Sequence, residues 1–199
     1  MGVRMAVFVE SVSGADIEPW LDALARLRIQ VFREWPYLYD GTEEYEQQYL
    51  QKYVNSEKSV MVLAIDGDQV VGASSGLPLL DADSEFRQPF VEAGREQSFV
   101  FYFGESVLNP RYRGLGLGHR FFDERERFAR ENRYSFSTFC AVERPAEHPM
   151  RPSSARELTS FWLGRGYVKL PGAVAQFRWL DVGDTNESVK PMQFWGKTL

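Results

Sequence analysis

The run Leu108-Asn109-Pro110-Arg111-Tyr112-Arg113-Gly114-Leu115-Gly116-Leu117-Gly118-His119-Arg120 sets glycines at alternate positions beside Arg111, Arg113 and Arg120. Glycine accepts positive φ and lets a ligand approach the backbone closely. A helix that starts here adds unpaired N–H groups and a partial positive charge. Together these make a cradle for an anion such as a phosphate. Just upstream, Glu105 stands in the run Phe101-Tyr102-Phe103-Gly104-Glu105-Ser106-Val107. Strand alternation puts it on the face of Phe101, Phe103 and Val107. A carboxylate among aromatic rings loses hydration, which strengthens it as a proton acceptor. Gly104 marks a candidate bulge that would reorient it. The competing reading is a structural carboxylate paired with an arginine or a backbone amide.

These residues need a strand–turn–helix unit to position them. Ser98–Leu108 reads as a long strand and Gly116–Glu131 as a helix with Leu117, Phe121 and Phe128 on one stripe, widened by Phe122 and Ala129. Upstream, Ala6–Val9 reads as a strand. Asp16 is a candidate cap for a helix with Pro19 in its first turn and Leu21, Leu24, Ala25, Leu27, Arg28 and Val31 at helical spacing. An aromatic loop, Trp35 to Gly41, precedes a second helix over Thr42–Val54. Asp66-Gly67-Asp68 joins Ser59–Ile65 and Gln69–Leu77 as a hairpin. Pro78–Gln97 reads as a long loop with room for a short helix. Ser135–Val142 is a further strand. Ser154 to Glu157 fits a capping box, so a helix is expected from Ser154 to about Gly164 or Gly166. Val174–Leu180 and Lys190–Lys197 close the chain as strands joined by an acidic turn. The order predicts an α/β fold with a mixed sheet, in one domain over residues 1–199.

Composition narrows the function classes. Apolar residues at 44% and charged residues at 26% fit a soluble globular protein, and 15% aromatics suggest a large core or a lined pocket. The formal charge of -5 disfavours a general nucleic-acid binder. A single cysteine, Cys140, allows no intramolecular disulfide and points to the cytoplasm. No apolar run of about 18 residues suggests a membrane span, and Met1–Ser13 lacks the pattern of an export signal. Two distant histidines, His119 and His148, make no metal cluster.

Two common phosphate loops do not fit. Gly118 is followed by His119 and Arg120 rather than Lys and Ser/Thr, and the glycine spacing differs from the dinucleotide fingerprint. Arg111-x-x-Gly114-x-Gly116 instead resembles the Arg/Gln-x-x-Gly-x-Gly/Ala pyrophosphate loop of the GNAT acetyltransferase superfamily, in the extended form common in bacterial members. Phe161-Trp162-Leu163-Gly164-Arg165-Gly166-Tyr167 resembles that family's later aromatic–glycine element.

The resemblance implies a GNAT fold with a mostly antiparallel sheet of about six to seven strands, whose strands four and five splay apart to admit the pantetheine arm of acetyl-CoA. It implies cofactor contacts along Val107, Leu108, Arg111, Arg113, Gly114, Leu115, Gly116, Leu117, Gly118 and His119. It implies direct transfer of an acetyl group to an amine without an acyl-enzyme and without a metal. Glu105 is the first choice for the general base. Many relatives carry a tyrosine where this chain has Trp162, an indole that cannot protonate a thiolate, so Tyr167, Tyr102 and Cys140 are the substitutes, with Tyr167 placed first. The acceptor side is expected at Glu34, Tyr37 and Tyr39, beside Trp35, where a carboxylate and aromatic faces suit a cationic amine. Arg144, Arg151 and Arg156 face either a ligand or solvent, and the turn from Asp181 to Glu187 reads as a solvated hairpin end. The expected partner is a small-molecule amine, with neither nucleic acid nor a membrane; a homodimer is allowed. A protein or peptide acceptor, and an acyl-CoA-binding sensor without turnover, are the other readings.

Overall fold

The computed structural model describes residues 7–199; Ala6, the start of the expected first strand, lies outside the described residues. Among the described residues seven strands form one mixed sheet: β1 (Phe8–Val12), β2 (Val60–Asp66), β3 (Gln69–Pro78), β4 (Val100–Leu108), β5 (Phe136–Val142), β6 (Val168–Trp179) and β7 (Ser188–Thr198), in the spatial order β1-β2-β3-β4-β5-β7-β6. Only β4 and β5 pair in parallel; the other neighbours are antiparallel. This is the mixed, mostly antiparallel α/β arrangement expected from the sequence. The β2–β3 turn is the predicted Asp66-Gly67-Asp68, with Gly67 at φ +60°.

Helices cover both faces. On one side lie α1 (Leu21–Phe32), α2 (Glu43–Asn55) and α3 (Ser84–Glu92), whose Leu24, Leu27, Leu50, Tyr53, Phe86 and Phe90 meet Met61, Leu63, Tyr102, Val107 and Phe194 of the sheet. On the other lie α4 (Leu117–Glu131) and α5 (Thr159–Gly164); Leu117, Phe121, Phe122 and Ala129 pack on Val60, Val62, Phe101, Phe103 and Phe139. The apolar stripe read from the sequence of α4 is thus its buried face, and it also carries the buried Arg125 and Glu126.

Two local expectations change, at Asp16 and Ser154, and between them the short helix allowed for in Pro78–Gln97 is found. Asp16 caps nothing with its side chain: the chain runs as a 3-10 helix over Gly14–Trp20, with Pro19 inside it, before α1 begins. Proline lacks the N–H that a continuous α-ladder would need there. The segment Pro78–Gln97 contains a nine-residue helix, because Phe86 and Phe90, one turn apart, bury one face. The helix expected from Ser154 begins only at Thr159. The Glu157 carboxylate bonds Arg151 at 3.2 Å and the Ala155 amide turns back to the Pro152 carbonyl, so the capping box does not form. Thr42, by contrast, caps α2 through the Tyr45 amide at 3.3 Å.

Candidate active site at the parting of two strands

The β4–β5 ladder is short. It runs from Val100↔Phe136 to Tyr102↔Thr138 and stops, although both strands continue. Beyond that point β5 stays with β7 along its whole length, while β4 stays with β3. The strands therefore splay apart from Phe103 onward. The cause is visible in the β3–β4 register, which slips from Ser74↔Ser106 to Gly76↔Phe103, so β4 carries one extra residue at Gly104–Glu105. An inserted residue bends a strand and reverses the facing of every residue beyond it.

That reversal corrects the expected orientation of Glu105. Phe101 and Phe103 face α4, whereas Glu105 and Val107 face α1 and α2. Glycine is required at 104 because a Cβ there would collide with the Tyr53 hydroxyl and the Ser75 Oγ. Glu105 is buried, and its surroundings are polar as well as aromatic. Its Oε2 meets the Arg28 guanidinium at 2.7 Å and the Tyr53 hydroxyl at 3.5 Å, and its backbone amide donates to Ser75 Oγ at 3.1 Å. Arg28 also pairs with buried Glu46. Burial disfavours the Arg28 charge, but the carboxylates of Glu105 and Glu46, with the Tyr49 phenol, outweigh that and hold it firmly protonated. The trio of two carboxylates and one guanidinium is therefore net negative.

At the outer end of β4 lies the glycine-rich turn. A short 3-10 turn over Pro110–Tyr112 is fixed by the Asn109 side chain, which accepts from the Arg111 amide at 3.1 Å, and by the Tyr112 hydroxyl, which donates to Asp66 at 2.6 Å. Gly114 and Gly116 both take φ +79°, and nothing lies within 4 Å of where their Cβ atoms would stand. Gly116 is the N-cap of α4. The turn thus presents bare backbone and the first amides of a fifteen-residue helix to open space, which suits a pyrophosphate.

The sequence pattern of the Acetyltransferase (GNAT) family matches residues 24–151, more than half of the chain. The chain belongs to this family. No curated protein sequence matches it significantly. Solved structures agree on the fold. A provisionally assigned acetyltransferase of Acinetobacter baylyi is 14% identical with a TM-score of 0.61, over 100% of this chain and 95% of its own. The ribosomal-protein-alanine N-acetyltransferase of Brucella melitensis is 16% identical with a TM-score of 0.60, over 96% of this chain and 99% of its own. An acetyltransferase from Streptococcus agalactiae is 15% identical with a TM-score of 0.59, over 96% and 98%. As a GNAT acetyltransferase the chain is an enzyme of acyl transfer, with acetyl-CoA as the acyl donor the family implies.

The remaining residues singled out in the sequence fall into separate places in this GNAT frame. Arg111, Arg113, Leu115 and His119 are exposed around the turn, Gly118 is half-buried, and Leu117 is buried and anchors α4. His119 leans on the Phe161 ring at 4.8 Å, and its Nδ1 lies 3.3 Å from Arg165. Glu34 is paired with Arg113 at 2.8 Å, which joins the aromatic loop to the glycine-rich turn. Tyr37 stacks on Trp179 and packs at a tilt against Phe32. Burial, with Cys140 and Glu105 nearby, holds its phenol well above the usual range despite Arg28. Burial, with the Glu46 carboxylate nearby, likewise raises the Tyr39 phenol well above the usual range. The structure therefore brings Tyr37, Tyr39, Arg28, Glu46 and Glu105 into one neighbourhood. Tyr167 is not part of it. It is fully buried on the α4 side, bonded to Ser137 at 2.8 Å and Glu126 at 3.2 Å. Trp162 packs on Phe139 and Trp195 on that same side. Burial pushes the Cys140 thiol up to about 12, so it carries no thiolate at neutral pH.

Arg144 and Asp181 are corrected from solvated positions. Both are buried or nearly so; Arg144 grips Asp181 at 2.7 and 2.9 Å and donates to the carbonyls of Pro36 and Tyr37. Lys190 adds a contact to Asp181 at 3.1 Å. The backbone of Leu38–Asp40 pairs directly with Leu180–Val182. This knot closes the aromatic loop onto β6 and β7. Burial alone would push the Asp181 carboxyl up, but the hydrogen bonds and charges of Arg144 and Lys190 prevail and hold it below the usual range. A depressed folded value gives stability that is present above the unfolded value of about 3.9 and is lost as pH falls through the folded value. Asp181→Asn is expected to cost about 3 kcal/mol at pH 7, the scale of breaking a buried ion pair. Urea unfolding of parent and variant checks this; the gap should close below about pH 4.

Arg28, Glu46, Tyr53, Ser75 and Arg125 were not read as site residues in the sequence. Two of them carried a signal: Arg28 and Arg125 are charges on apolar helical stripes, which need a buried partner.

Proposed function

We propose that the protein transfers an acetyl group from acetyl-CoA to the amine of a small molecule by direct attack, with Glu105 as general base. The single observation that carries the reading is the Gly104–Glu105 bulge, which coincides with the parting of β4 and β5 and turns a buried carboxylate toward α1 and α2. The free edge of β4 near Val107 and Leu108 suits the pantetheine amides, and the turn from Arg111 to His119 suits the pyrophosphate. An ammonium acceptor must lose a proton before it attacks the thioester; Glu105 takes it, the neutral nitrogen bonds the thioester carbonyl carbon, the C–S bond breaks to release CoA thiolate, and the second nitrogen proton passes to that thiolate to leave a neutral amide and CoA thiol. Backbone N–H groups along the free edge of β4 are candidate donors to the oxyanion. The high thiol value of Cys140 supports attack without an acyl-enzyme. Tyr167, enclosed with Ser137 and Glu126, fits a structural role better than that of general acid.

A small acceptor is favoured over a peptide because Leu38–Asp40 is tied by backbone hydrogen bonds to Leu180–Val182, which fixes the aromatic loop in place. The net negative trio of Glu46, Arg28 and Glu105, walled by tyrosines, suits a cation. The peptide reading draws on the acceptor named for the Brucella melitensis relative, which at 16% identity speaks for the fold alone.

A panel of primary amines and short peptides, read by release of the CoA thiol, tests the reading. Turnover of small amines and not of peptides is the expected result; acetyl-CoA binding without turnover on any acceptor would overturn it. Within that assay Tyr37→Phe and Tyr39→Phe should raise the acceptor KM about fivefold, the scale of one lost hydrogen bond. Their CoA dissociation constants, measured by calorimetry, should stay at the parent value; equal loss in both would make the loop merely structural.

A further inference from the structure

Arg125 lies in the middle of α4 with 1% of its surface exposed, and none of its hydrogen bonds goes to a carboxylate. Its Nε donates to the Phe121 carbonyl at 3.1 Å. One terminal nitrogen donates to the carbonyls of Ser75 and Glu105, both at 3.2 Å, and the other to Ser106 Oγ at 2.9 Å. The guanidinium lies 4.4 Å from the Phe103 ring centre and 4.8 Å from that of Phe122. Burying a charge without an opposite charge is costly, so the location is informative. It is the place where the β3–β4 ladder slips and carbonyls lose their ladder partners. Desolvation pushes this guanidinium down to about 10, still protonated at neutral pH.

The bulge is thus gripped from both faces. Tyr53, Ser75 and Arg28 hold it from the α1–α2 side, and Arg125 reaches it from the α4 side. We propose that Arg125 is a positioning residue for acyl transfer, whose forked bonds to Ser75, Glu105 and Ser106 hold the β4 bulge that aims the Glu105 carboxylate into the splay. This rests on the acetyltransferase reading with Glu105 as base. The planar fork matters as much as the charge, since an ammonium cannot reach two carbonyls and a hydroxyl from one rigid plane.

The test is a double-mutant cycle of Arg125→Met and Glu105→Gln. The probes are acetyl-CoA with phenethylamine, spermidine and lysine methyl ester, read by thiol release. Arg125→Met should lower kcat at least tenfold with the CoA dissociation constant within threefold. In the Glu105→Gln background the same change should cost less than twofold, because the group it positions is gone. Parent kcat in Arg125→Met, or losses that multiply, would overturn the proposal. If Arg125→Met does not fold, Arg125→Lys carries the same cycle: a three- to tenfold loss that vanishes with Glu105→Gln is expected, and parent kcat overturns the idea. Hydrogen exchange of the CoA-free protein gives a second arm. Protection over Gly104–Ser106 should fall at least tenfold in Arg125→Met or Arg125→Lys while β2 keeps its own; no change, or a uniform loss, also overturns it. A parent protein that turns over none of the three amines would count against the function reading, and the exchange arm would still decide the role of Arg125.

Discussion

Glu105→Gln is expected to lower kcat by about 10²-fold or more, the scale of a positioned proton acceptor. The variant keeps the shape of the side chain and removes its basicity. Its neighbours explain why the fold should survive. Arg28 retains Glu46 as a partner, so no unpaired guanidinium is left buried. The amide oxygen of glutamine can still accept from Arg28 and Tyr53, and the backbone amide keeps Ser75 Oγ. CoA affinity should stay within threefold, because the glycine-rich turn lies at the far end of β4 and does not touch this carboxylate. The loss should therefore fall on kcat rather than on acceptor KM, as for an interaction made during proton transfer. Near-parent kcat would remove Glu105 from the mechanism and pass the role to another carboxylate such as Glu46 or Glu34, leaving the acetyltransferase assignment intact.

The same residue shows where sequence reading reaches its limit. Alternation along Phe101 to Val107 put Glu105 with the phenylalanines; the inserted residue at Gly104 put it on the other face. Periodicity cannot survive a bulge, since one extra residue reverses every side chain beyond it. The warning was Gly104 itself, a glycine in an aromatic strand. The partners of Glu105 were less legible still. Arg28, Glu46 and Ser75 come from α1, α2 and β3, and no local pattern says that they meet. Asp181 looked like a hairpin end because it opens an acidic turn that runs to Glu187; the Arg144 and Lys190 pairings, which no local pattern announces, hold it in a buried place. The glycine-rich turn was legible for the opposite reason. Its chemistry belongs to contiguous backbone, so strand, turn and helix can be read in one short window. The strands and the first hairpin were legible for a like reason, since hairpin turns and amphipathic stripes are local signals, whereas the insertion of β7 between β5 and β6 is a non-local pairing.

That contiguity makes the turn the place for the second large effect. Gly116→Glu is expected to weaken CoA binding at least 100-fold, or about 2.7 kcal/mol, in a protein that still folds. Two consequences of the substitution need to be separated. The first is strain, because residue 116 sits at φ +79° as the N-cap of α4. A left-handed backbone costs an ordinary residue roughly 1–2 kcal/mol, which a folded domain can absorb. There is no clash to add, since nothing lies within 4 Å of the new Cβ. The second is charge. A carboxylate at the start of α4 competes for the amides and the partial positive charge that favour a bound anion, and it repels a pyrophosphate directly. Gly116→Ala isolates the strain and should cost less than tenfold in affinity. Gly116→Glu adds the charge, and its excess loss should shrink as salt is raised, because exposed charges are screened. Calorimetry with CoA on the three proteins, at low and high salt, measures all of this. Parent affinity in a folded Gly116→Glu protein would move the pyrophosphate site elsewhere, and equal losses in the alanine and glutamate variants would make the turn a hinge of α4 rather than an anion cradle.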